Sequence, residues 1–382
     1  MLKKKFLLVN YEYPPIGGGG GNATESIANE LQDMNAEITV LTSHYKTLPK
    51  YEIKNNVKII RIWAGRRRKD KCSIFEMFLF IIIATIKSIK VAKKIKPNAC
   101  LIFFSLPTGP IGWWLKRRVG IPYIVSLQGG DVPGFMRSEL RLYHFLSSFM
   151  NREIWRSAEY VVANSLGLQK LAKKFMLEVN HEMIPAGVDI KKFTPKIKIE
   201  VNTKVKLLFV GRLVTQKGID VLLDALSKLD KNLWSLNIVG DGPLKEKLNE
   251  TVFRLKLENN VNFLGWKDRD DLPSIYKEND IFILPSRDEG MPNVMLEAMA
   301  SSLPIIGSCV SGMDQVIINN KNGLLVRPGN SDELHHAIKK LINNKDNIRE
   351  MGYASSKLVK IQYTWKIASS SYQQLLNKIC KE

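Results

Sequence analysis

Residues 280–299 read DIFILPSRDEGMPNVMLEAM. The apolar run 281–284 has the length and composition of a buried strand, and residues 293–299 place apolar side chains at helical spacing. A loop with Glu289 and Gly290 separates the two runs. Unsatisfied N–H groups and the positive end of the dipole make a helix N-terminus suitable for an anion. The stretch therefore predicts a strand–loop–helix unit with an anion site where the strand ends.

This stretch contains two glutamates that are candidates for ligand binding. Glu289 falls on the loop, and Glu297 falls about two turns into the helix, so both carboxylates are expected to face one cleft. A capped helix that carries two surface carboxylates remains the alternative.

A similar unit lies earlier in the chain. Residues 205–210 read as a buried strand, and residues 219–229 have apolar side chains at helical spacing. The turn between them contains Arg212 and Lys217. These cations either bind an anion or are solvated on a tight strand–helix turn.

A third unit lies at the N-terminus. Residues 5–10 read as a strand, residues 17–21 are all glycine, and residues 23–31 have helical spacing. Glycine permits positive φ and close approach of a ligand to the backbone, and a glycine loop that leads into a helix can hold phosphate. A flexible surface loop is the alternative.

These motifs resemble those of the large family 4 of retaining glycosyltransferases, which have the GT-B fold. The similarity rests on a Glu-x7-Glu pattern at 289–297, on Gly-Arg-Leu followed by Lys-Gly within 211–218, and on Pro-Pro before the glycines. It covers nearly the whole chain and is strongest over 205–312. The resemblance implies an α/β GT-B fold, in which two Rossmann-like doubly wound domains face each other across a cleft.

The resemblance also implies the reaction. A hexosyltransferase-type enzyme would move a sugar from a nucleotide diphosphate-sugar to an acceptor hydroxyl with retention at the anomeric carbon. The expected setting is synthesis of a bacterial cell-surface polysaccharide, such as lipopolysaccharide, or of a glycolipid. A sugar-nucleotide enzyme without an acceptor, such as a 2-epimerase, and a catalytically silent sugar-nucleotide-binding protein are the alternatives.

By the same resemblance, Arg212 and Lys217 would hold the donor diphosphate. A diphosphate requires permanent cations, and each charge-assisted contact contributes about 1.5–3 kcal/mol. The same cations would stabilise the negative charge that grows on the leaving oxygen. Gly18 and Gly19 would close over the donor from the opposite domain.

The sugar and the nucleoside have their own predicted partners. Glu297 would bind the ribose hydroxyls, and Glu289 would approach the transferred sugar. The nucleobase is expected near Phe263 and Leu264, held by main chain. The remaining predicted donor-binding residues follow Glu289 directly: Gly290, Met291, Pro292, Asn293 and Val294.

One position departs from the family pattern. Many members have a histidine after the strand that ends at Leu127, and this chain has Gln128. Glutamine cannot shuttle protons near neutral pH, so a mechanism that uses a histidine here is in doubt. Asp131 is the nearest candidate to contact the sugar or the acceptor, and a turn role before Pro133 is the alternative. In the mechanism proposed for the family, the leaving phosphate itself assists deprotonation of the acceptor.

The length of 382 residues predicts two domains. The first spans residues 1–190 and is expected to be completed by a C-terminal helix at 365–382. The second spans residues 204–364, after a polar, Lys-rich linker. Strand-like runs alternate with helical runs through both halves, which predicts two doubly wound parallel sheets.

No metal or cofactor is expected. The four cysteines lack metal-ligand spacing and indicate reduced thiols of a cytosolic protein. Asp268-Arg269-Asp270 matches an Asp-x-Asp metal motif, but an Asp before a helix is ordinarily a cap. The apolar run after Lys3–Lys5 is too short for a signal-peptide core.

The net charge of +20 is concentrated in the first half, where residues 1–205 contain 33 Lys and Arg against 16 Asp and Glu. The donor site does not account for this excess, and an anionic membrane surface is the expected partner. Residues 66–71 are mostly basic and precede the apolar stretch 74–89, which is either an interfacial amphipathic segment or a core helix. The expected location is the cytoplasm, and peripheral attachment to the inner face of the cytoplasmic membrane is left open. Nucleic acid is not expected, because no nucleic-acid module is recognisable.

Overall fold

The computed structural model describes residues 3–68, 72–195 and 204–380. The chain divides into two compact units: unit 1 is Met1–Ala186 with Trp365–Glu382, and unit 2 is Gly187–Thr364. Residues 69–71 of the predicted basic cluster and 196–203 of the predicted linker lie outside the described residues.

Each unit contains one sheet. The strands are β1 (Lys5–Val9), β2 (Glu37–Ser43), β3 (Tyr51–Lys54), β4 (Val57–Ile62), β5 (Ala99–Phe103), β6 (Tyr123–Leu127), β7 (Tyr160–Ala163), β8 (His181–Met183), β9 (Val205–Val210), β10 (Trp234–Val239), β11 (Val261–Gly265), β12 (Ile281–Leu284), β13 (Ile305–Ser308) and β14 (Gly323–Val326).

Helices alternate with these strands. The helices are α1 (Gly19–Asp33), α2 (Ile74–Ile95), α3 (Gly109–Val119), α4 (Arg137–Ser157), α5 (Leu166–Phe175), α6 (Ile219–Ser227), α7 (Lys245–Arg254), α8 (Leu272–Glu278), α9 (Asn293–Ala300), α10 (Ser331–Ile342), α11 (Lys345–Gln362) and α12 (Trp365–Ile379).

The sheet of unit 1 has the order β3-β4-β2-β1-β5-β6-β7-β8 in the part of the chain that is described. Its strands pair in parallel, except that β3 pairs with β4 antiparallel. The central strands β1 and β5 are almost entirely buried, as expected for parallel strands covered on both faces. Helix α12 packs on α1, and its Tyr372 hydroxyl hydrogen-bonds Ser126 Oγ of β6 at 2.6 Å. The C-terminal helix thus belongs to unit 1.

The sheet of unit 2 has the order β11-β10-β9-β12-β13-β14, and the described pairs are all parallel. Because the strands are parallel, the loops after β9 and β12 leave the same edge of the sheet. The strand order reverses between these two strands. In doubly wound folds this switch point is where ligands bind.

The loops at this edge pack backbone against backbone. Gly218, after β9, has φ +68°, and a Cβ built on it would lie 2.0 Å from the carbonyl oxygen of Pro285, after β12. Gly312, after β13, has φ +76°, and its Cβ would lie 1.7 Å from the carbonyl oxygen of Gly290. Glycine is therefore required at both positions, by φ and by space.

The structure confirms the predicted fold class of two Rossmann-like α/β units. Three short strands were not predicted: β3, β8 and β14. The prediction of fully parallel sheets is wrong at β3, an edge strand whose residues are mostly exposed. Strand β8 reads His-Glu-Met and lacks the apolar run that would have identified it.

We expect Gly218→Ala to destabilise unit 2 far more than Gly265→Ala does. Both glycines have φ +68°, but a Cβ on Gly265 meets no atom within 4 Å. Gly265→Ala should therefore cost only the backbone term, about 1–2 kcal/mol. Gly218→Ala adds the overlap with Pro285, and urea unfolding should show at least twice that loss. Equal losses would contradict the close loop packing.

Candidate functional site

The ends of β9 and β12 bring together residues from two of the predicted motifs. Lys217 ends a 3₁₀ turn at Thr215–Lys217, and its Nζ lies 2.5 Å from Oε1 of Glu289. The Ser286 hydroxyl donates to the same Oε1 at 2.7 Å. Glu289 is 6% exposed, so this is a buried ion pair with an additional hydrogen bond. Residues 72 positions apart in the sequence therefore form one polar cluster.

A second set of contacts fixes the two loops to each other. The Arg287 N–H donates to the Gln216 carbonyl at 2.7 Å, and Gln216 Nε2 donates to the Asp288 carbonyl at 2.8 Å. The Arg287 guanidinium forms a bidentate pair with Asp220, at 3.0 and 2.7 Å. Burial would raise the pKa of Asp220, but the hydrogen bonds and the charge of Arg287 hold it below its ordinary value. No pattern in the sequence indicated these partners.

Arg212 differs from Lys217 in its surroundings. Its side chain is exposed, and no ion pair or side-chain hydrogen bond to it occurs among the described residues. It follows β9 directly and lies on the same loop as Lys217. The loop after β9 thus carries one cation held by a buried carboxylate and one exposed cation.

Glu297 lies inside α9 and is also buried. The Tyr276 hydroxyl lies 3.1 Å from Glu297 Oε2 and 3.1 Å from the carbonyl oxygen of Val294, so it can donate to either. Burial raises the pKa of Glu297, and the charge of Arg269 and the bond from Tyr276 oppose that shift. The two predicted carboxylates therefore have different environments: Glu289 faces a cation, and Glu297 faces a phenol.

The residues between the two glutamates form the start of α9. Gly290, Met291 and Pro292 are buried, Asn293 and Val294 are half-buried, and α9 begins at Asn293. In the described part of the chain, no side chain caps this helix and its first turn has no acidic residue. An anion at this N-terminus would meet no competing carboxylate from the helix itself.

The predicted nucleobase region lies on β11, at one edge of the sheet. Phe263 is half-buried, and Leu264 is exposed. Ile238 of β10 pairs with Phe263 and Val239 pairs with Gly265, so the register of the two strands shifts at Leu264.

In unit 1, α1 begins at Gly19, four residues earlier than predicted, so three of the five glycines lie in the first turn of the helix and not on a loop. Gly18 is the N-cap of α1, and both Gly18 and Gly19 are exposed. The Gly18 N–H donates to Glu12 Oε2 at 3.2 Å. The sequence interpretation missed Glu12, a carboxylate that already takes one amide of the predicted phosphate loop.

Asp131 organises a loop backbone. It is 4% exposed, and it accepts N–H groups from Ser105 at 2.8 Å, Gln128 at 3.0 Å and Gly129 at 2.9 Å. Burial raises the pKa of Asp131, and these hydrogen bonds oppose the shift. The carboxylate thus has the turn role that was left open as the alternative.

Two further side chains hold this loop. Gln128 Nε2 donates to Ser126 Oγ at 2.9 Å. His144, on α4, lies 2.9 Å from the Gly130 carbonyl through Nε2, and its Nδ1 accepts the Gly134 N–H at 3.4 Å. His144 was not predicted, because it lies well beyond the loop in sequence.

Among the described residues, no group of three His, Cys, Asp or Glu side chains is placed to hold a metal ion. Asp270 of the Asp-x-Asp sequence pairs with Lys192 at 2.5 Å. None of the helices within the described ranges is long and apolar enough to span a bilayer.

Comparison with known proteins supports the class that the fold and the site indicate. A family model described as Glycosyl transferases group 1 matches residues 189–358, and one described as Glycosyl transferase 4-like domain matches residues 18–187. An uncharacterized glycosyltransferase of Methanocaldococcus jannaschii is 27% identical over 96% of both chains. A GDP-mannose-dependent alpha-(1-6)-phosphatidylinositol monomannoside mannosyltransferase of Mycobacterium tuberculosis is 29% identical over 54% of this chain and 58% of the relative.

Solved structures agree on the fold. Sucrose-phosphate synthase from Thermosynechococcus elongatus superimposes with a TM-score of 0.88 at 20% identity, covering 99% of each chain. Anabaena HepE in complex with UDP-glucose gives a TM-score of 0.77 at 20% identity, covering 98% of this chain and 99% of that one.

The chain is a glycosyltransferase enzyme with the GT-B fold. It belongs to the group 1 glycosyl transferases, the family 4 type, and it has relatives in bacterial polysaccharide synthesis.

The raised pKa of Glu297 predicts a specific pH dependence of stability. The folded protein holds this proton at pH values where the unfolded chain has lost it. The free energy of unfolding should therefore fall as pH rises above the ordinary carboxyl range, until Glu297 ionises in the folded state. Glu297→Gln should remove this part of the slope and stabilise unit 2 at neutral pH.

The measurement is urea unfolding of wild type and Glu297→Gln from pH 4 to 8. Glu258→Gln, an exposed glutamate of the same unit, is the matched control and should follow wild type. Parallel curves for wild type and Glu297→Gln would show that the burial of Glu297 carries no such cost.

Proposed function

We propose that this protein moves a sugar from a nucleotide diphosphate-sugar to an acceptor hydroxyl, with retention at the anomeric carbon. The acceptor is a saccharide or a lipid-linked saccharide in cell-surface polysaccharide or glycolipid synthesis. The observation that carries the proposal is the buried cluster of Lys217, Glu289 and Ser286 at the strand edge of unit 2. It offers a cation for a diphosphate and a carboxylate for a sugar in one place.

The two cations have complementary roles in this proposal. Arg212, exposed and without an ion pair in the described part of the chain, would bind the diphosphate first. Lys217 Nζ would be shared between Glu289 and a phosphate oxygen, since an ammonium has three donors. Together they would neutralise the charge on the leaving diphosphate, and we propose that no metal is required.

Glu289 would orient the sugar. Its Oε1 is occupied by Lys217 and Ser286. No other hydrogen bond to its carboxylate occurs among the described residues, which leaves Oε2 to accept from a sugar hydroxyl. Ser286 would act through Glu289, holding its carboxylate in place.

Glu297 would bind the ribose. Burial disfavours the charged form of its carboxylate. Two ribose hydroxyls that donate to this carboxylate would stabilise the charged form. Tyr276 contacts Oε2, and no hydrogen bond to Oε1 occurs among the described residues, which leaves Oε1 for the ligand. The roles of Gly18, Gly19, Phe263 and Leu264 toward the donor stay predictions.

The proton of the acceptor would go to the leaving group. The acceptor oxygen forms a bond to the anomeric carbon as the bond from that carbon to the diphosphate oxygen breaks, and the diphosphate takes the proton. Gln128 cannot take a proton at neutral pH. Asp131 is occupied by three backbone amides, so its proposed part is to shape the loop.

The donor can be identified by thermal shift with UDP-, GDP-, ADP- and dTDP-sugars. A related structure holds UDP-glucose, and a relative is named for GDP-mannose, so both bases belong in the screen. Specific binding stabilises the folded protein by about 2.7 kcal/mol at 100 times Kd. No shift with any nucleotide-sugar would contradict the proposal.

Lys217→Ala should weaken binding of the donor found in that screen. Loss of a charge-assisted contact corresponds to about 1.5–3 kcal/mol, or roughly 10- to 100-fold in Kd. The rise in Tm on donor binding is measured from the Tm of each unliganded variant, since Lys217→Ala also leaves Glu289 without its cation. Lys247→Ala, an exposed lysine of unit 2, is the control and should bind as wild type does. An unchanged Kd in Lys217→Ala would rule out its contact with the diphosphate.

The stereochemistry and the need for an acceptor have a direct test. Proton NMR of the first product formed should show the anomeric configuration of the donor, and chelation with EDTA should leave the rate unchanged. An inverted product would overturn retention. A product formed at the same rate without acceptor would favour the epimerase alternative.

A further inference from the structure

One face of α2 is buried and the opposite face is apolar and exposed. Phe80, Ala84 and Ala92 pack in the core of unit 1. On the other side, large apolar side chains recur every three or four residues through the first half of the helix, and Phe75 is 73% exposed. These form the α2 stripe, which consists of Ile74, Phe75, Phe78, Ile82 and Ile86.

Helix α4 has the same construction. His144, Asn151 and Trp155 are buried on its inner side. Its outer side carries the α4 stripe, in which Phe145 and Phe149 are 77% and 76% exposed. The stripe consists of Leu142, Phe145, Leu146, Phe149 and Met150. Contiguous exposed apolar surface on this scale marks an interaction site.

Helix α3 lies between the two and packs against both. Its Trp113 and Trp114 rings are stacked, with centroids 6.2 Å apart. Arg117 lies over the Trp113 ring at 4.4 Å, and Arg118 lies over the Trp114 ring at 4.5 Å. Both arginines are exposed. Trp113 packs against the core with its Nε1 buried, whereas Trp114 paired with Arg118 suits a membrane–water interface.

The three helices are strongly basic. Together α2, α3 and α4 contain eleven Lys and Arg against three Glu. Lys87, Lys90, Lys93 and Lys94 follow the α2 stripe directly and are exposed. A partner that covers these faces must therefore be apolar and also anionic.

A basic cavity adjoins the start of α2. It has a volume of about 910 Å³, and its lining includes Lys46, Arg66, Arg67, Arg68, Trp63 and Phe75. Of the described residues, one acid, Glu76, also lines it, and its carboxylate accepts the Arg67 N–H at 3.0 Å and the Ser73 N–H at 2.8 Å. The cavity thus joins positive charge to the apolar start of the α2 stripe through Phe75.

We propose that α2, α3 and α4 form a docking surface for an anionic lipid bilayer. The two stripes enter the interface, the exposed cations contact lipid phosphates, and the cavity at the start of α2 takes the acidic headgroup of one lipid. A bilayer held here would present a lipid-linked acceptor to unit 1. That last consequence rests on the proposed transfer reaction.

A second copy of this chain fits the surface less well. A symmetric dimer through this face would place exposed cations of one protomer, such as Lys87, Arg117 and Arg118, against the same cations of the other. Like charges in an interface oppose association, whereas anionic lipid neutralises them.

Flotation with vesicles tests the apolar part. Wild type should float with vesicles of phosphatidylcholine and phosphatidylglycerol, and far less with phosphatidylcholine alone. The double variant Phe145→Ser/Phe149→Ser should lose at least tenfold in partition coefficient, because two exposed phenylalanines no longer enter the interface. The matched control is Phe253→Ser/Tyr353→Ser in unit 2, where the two rings are 73% and 66% exposed. It should float as wild type does.

The headgroup cavity is tested with charge variants. Arg67→Gln/Arg68→Gln should reduce partition to phosphatidylglycerol vesicles by about fivefold per charge removed. Lys247→Gln/Lys339→Gln removes the same charge from exposed positions of unit 2 and should change partition less than twofold.

Three outcomes would overturn the proposal. One is equal recovery of wild type with and without anionic lipid. Another is an equal loss of partition to vesicles in the variants and in their controls. The third is a dimer in sedimentation that Phe145→Ser/Phe149→Ser converts to monomer while flotation is unchanged, which would assign the surface to a second copy. None of these measurements uses a sugar donor, so failure here leaves the donor screen and the transfer reaction to be judged separately.

Discussion

The candidate site depends on how closely three loop backbones approach at one edge of unit 2. Gly218 contacts the Pro285 carbonyl and Gly312 contacts the Gly290 carbonyl at distances that exclude any Cβ. This packing holds the end of the Thr215–Lys217 turn against the segment that carries Glu289. The ion pair between Lys217 and Glu289 follows from that approach, and the bidentate pair of Arg287 with Asp220 secures it from outside.

The surroundings of the two buried glutamates differ in how well they stabilise a negative charge. Glu289 is compensated by Lys217 and Ser286, so its charge is stabilised before any ligand binds. Among the described residues, the hydrogen-bond partner of the Glu297 carboxylate is the Tyr276 phenol, and burial disfavours the charged form of Glu297. A ligand that donates hydrogen bonds to Glu297 therefore improves the protein's own electrostatics. Part of the binding free energy would come from relieving this cost, and the surrounding unit would become more stable as the ligand binds.

Sequence reasoning located the strands and helices whose pattern is contained in short segments. Glu289, Glu297, Arg212 and Lys217 lie on strand–loop–helix units whose pattern is legible, and the α/β class follows from their repetition. It missed Tyr276 and His144, whose partners lie 21 and 14 residues away in the chain. It also missed Ser286 and Glu12, whose partners are three and six residues away but are reached only through the conformation of a loop. Strands β3, β8 and β14 are too short for an apolar pattern to identify. The α2 segment posed a choice between core and interface, and the structure shows one face of this helix buried in the core of unit 1 and large apolar side chains exposed on the other.

Helix α4 connects two features of unit 1, an exposed apolar face and a loop that precedes the helix in sequence. Its outer side carries the α4 stripe, and its inner side carries His144, which holds the loop that includes Gln128 and Asp131. The Gly134 N–H donates to Nδ1, so the ring must be the neutral tautomer with its hydrogen on Nε2, donating to Gly130. The other neutral tautomer would place its hydrogen on Nδ1 and lose the bond from Gly134. The order of this loop is therefore tied to the tautomeric state of one imidazole on the helix that faces outward.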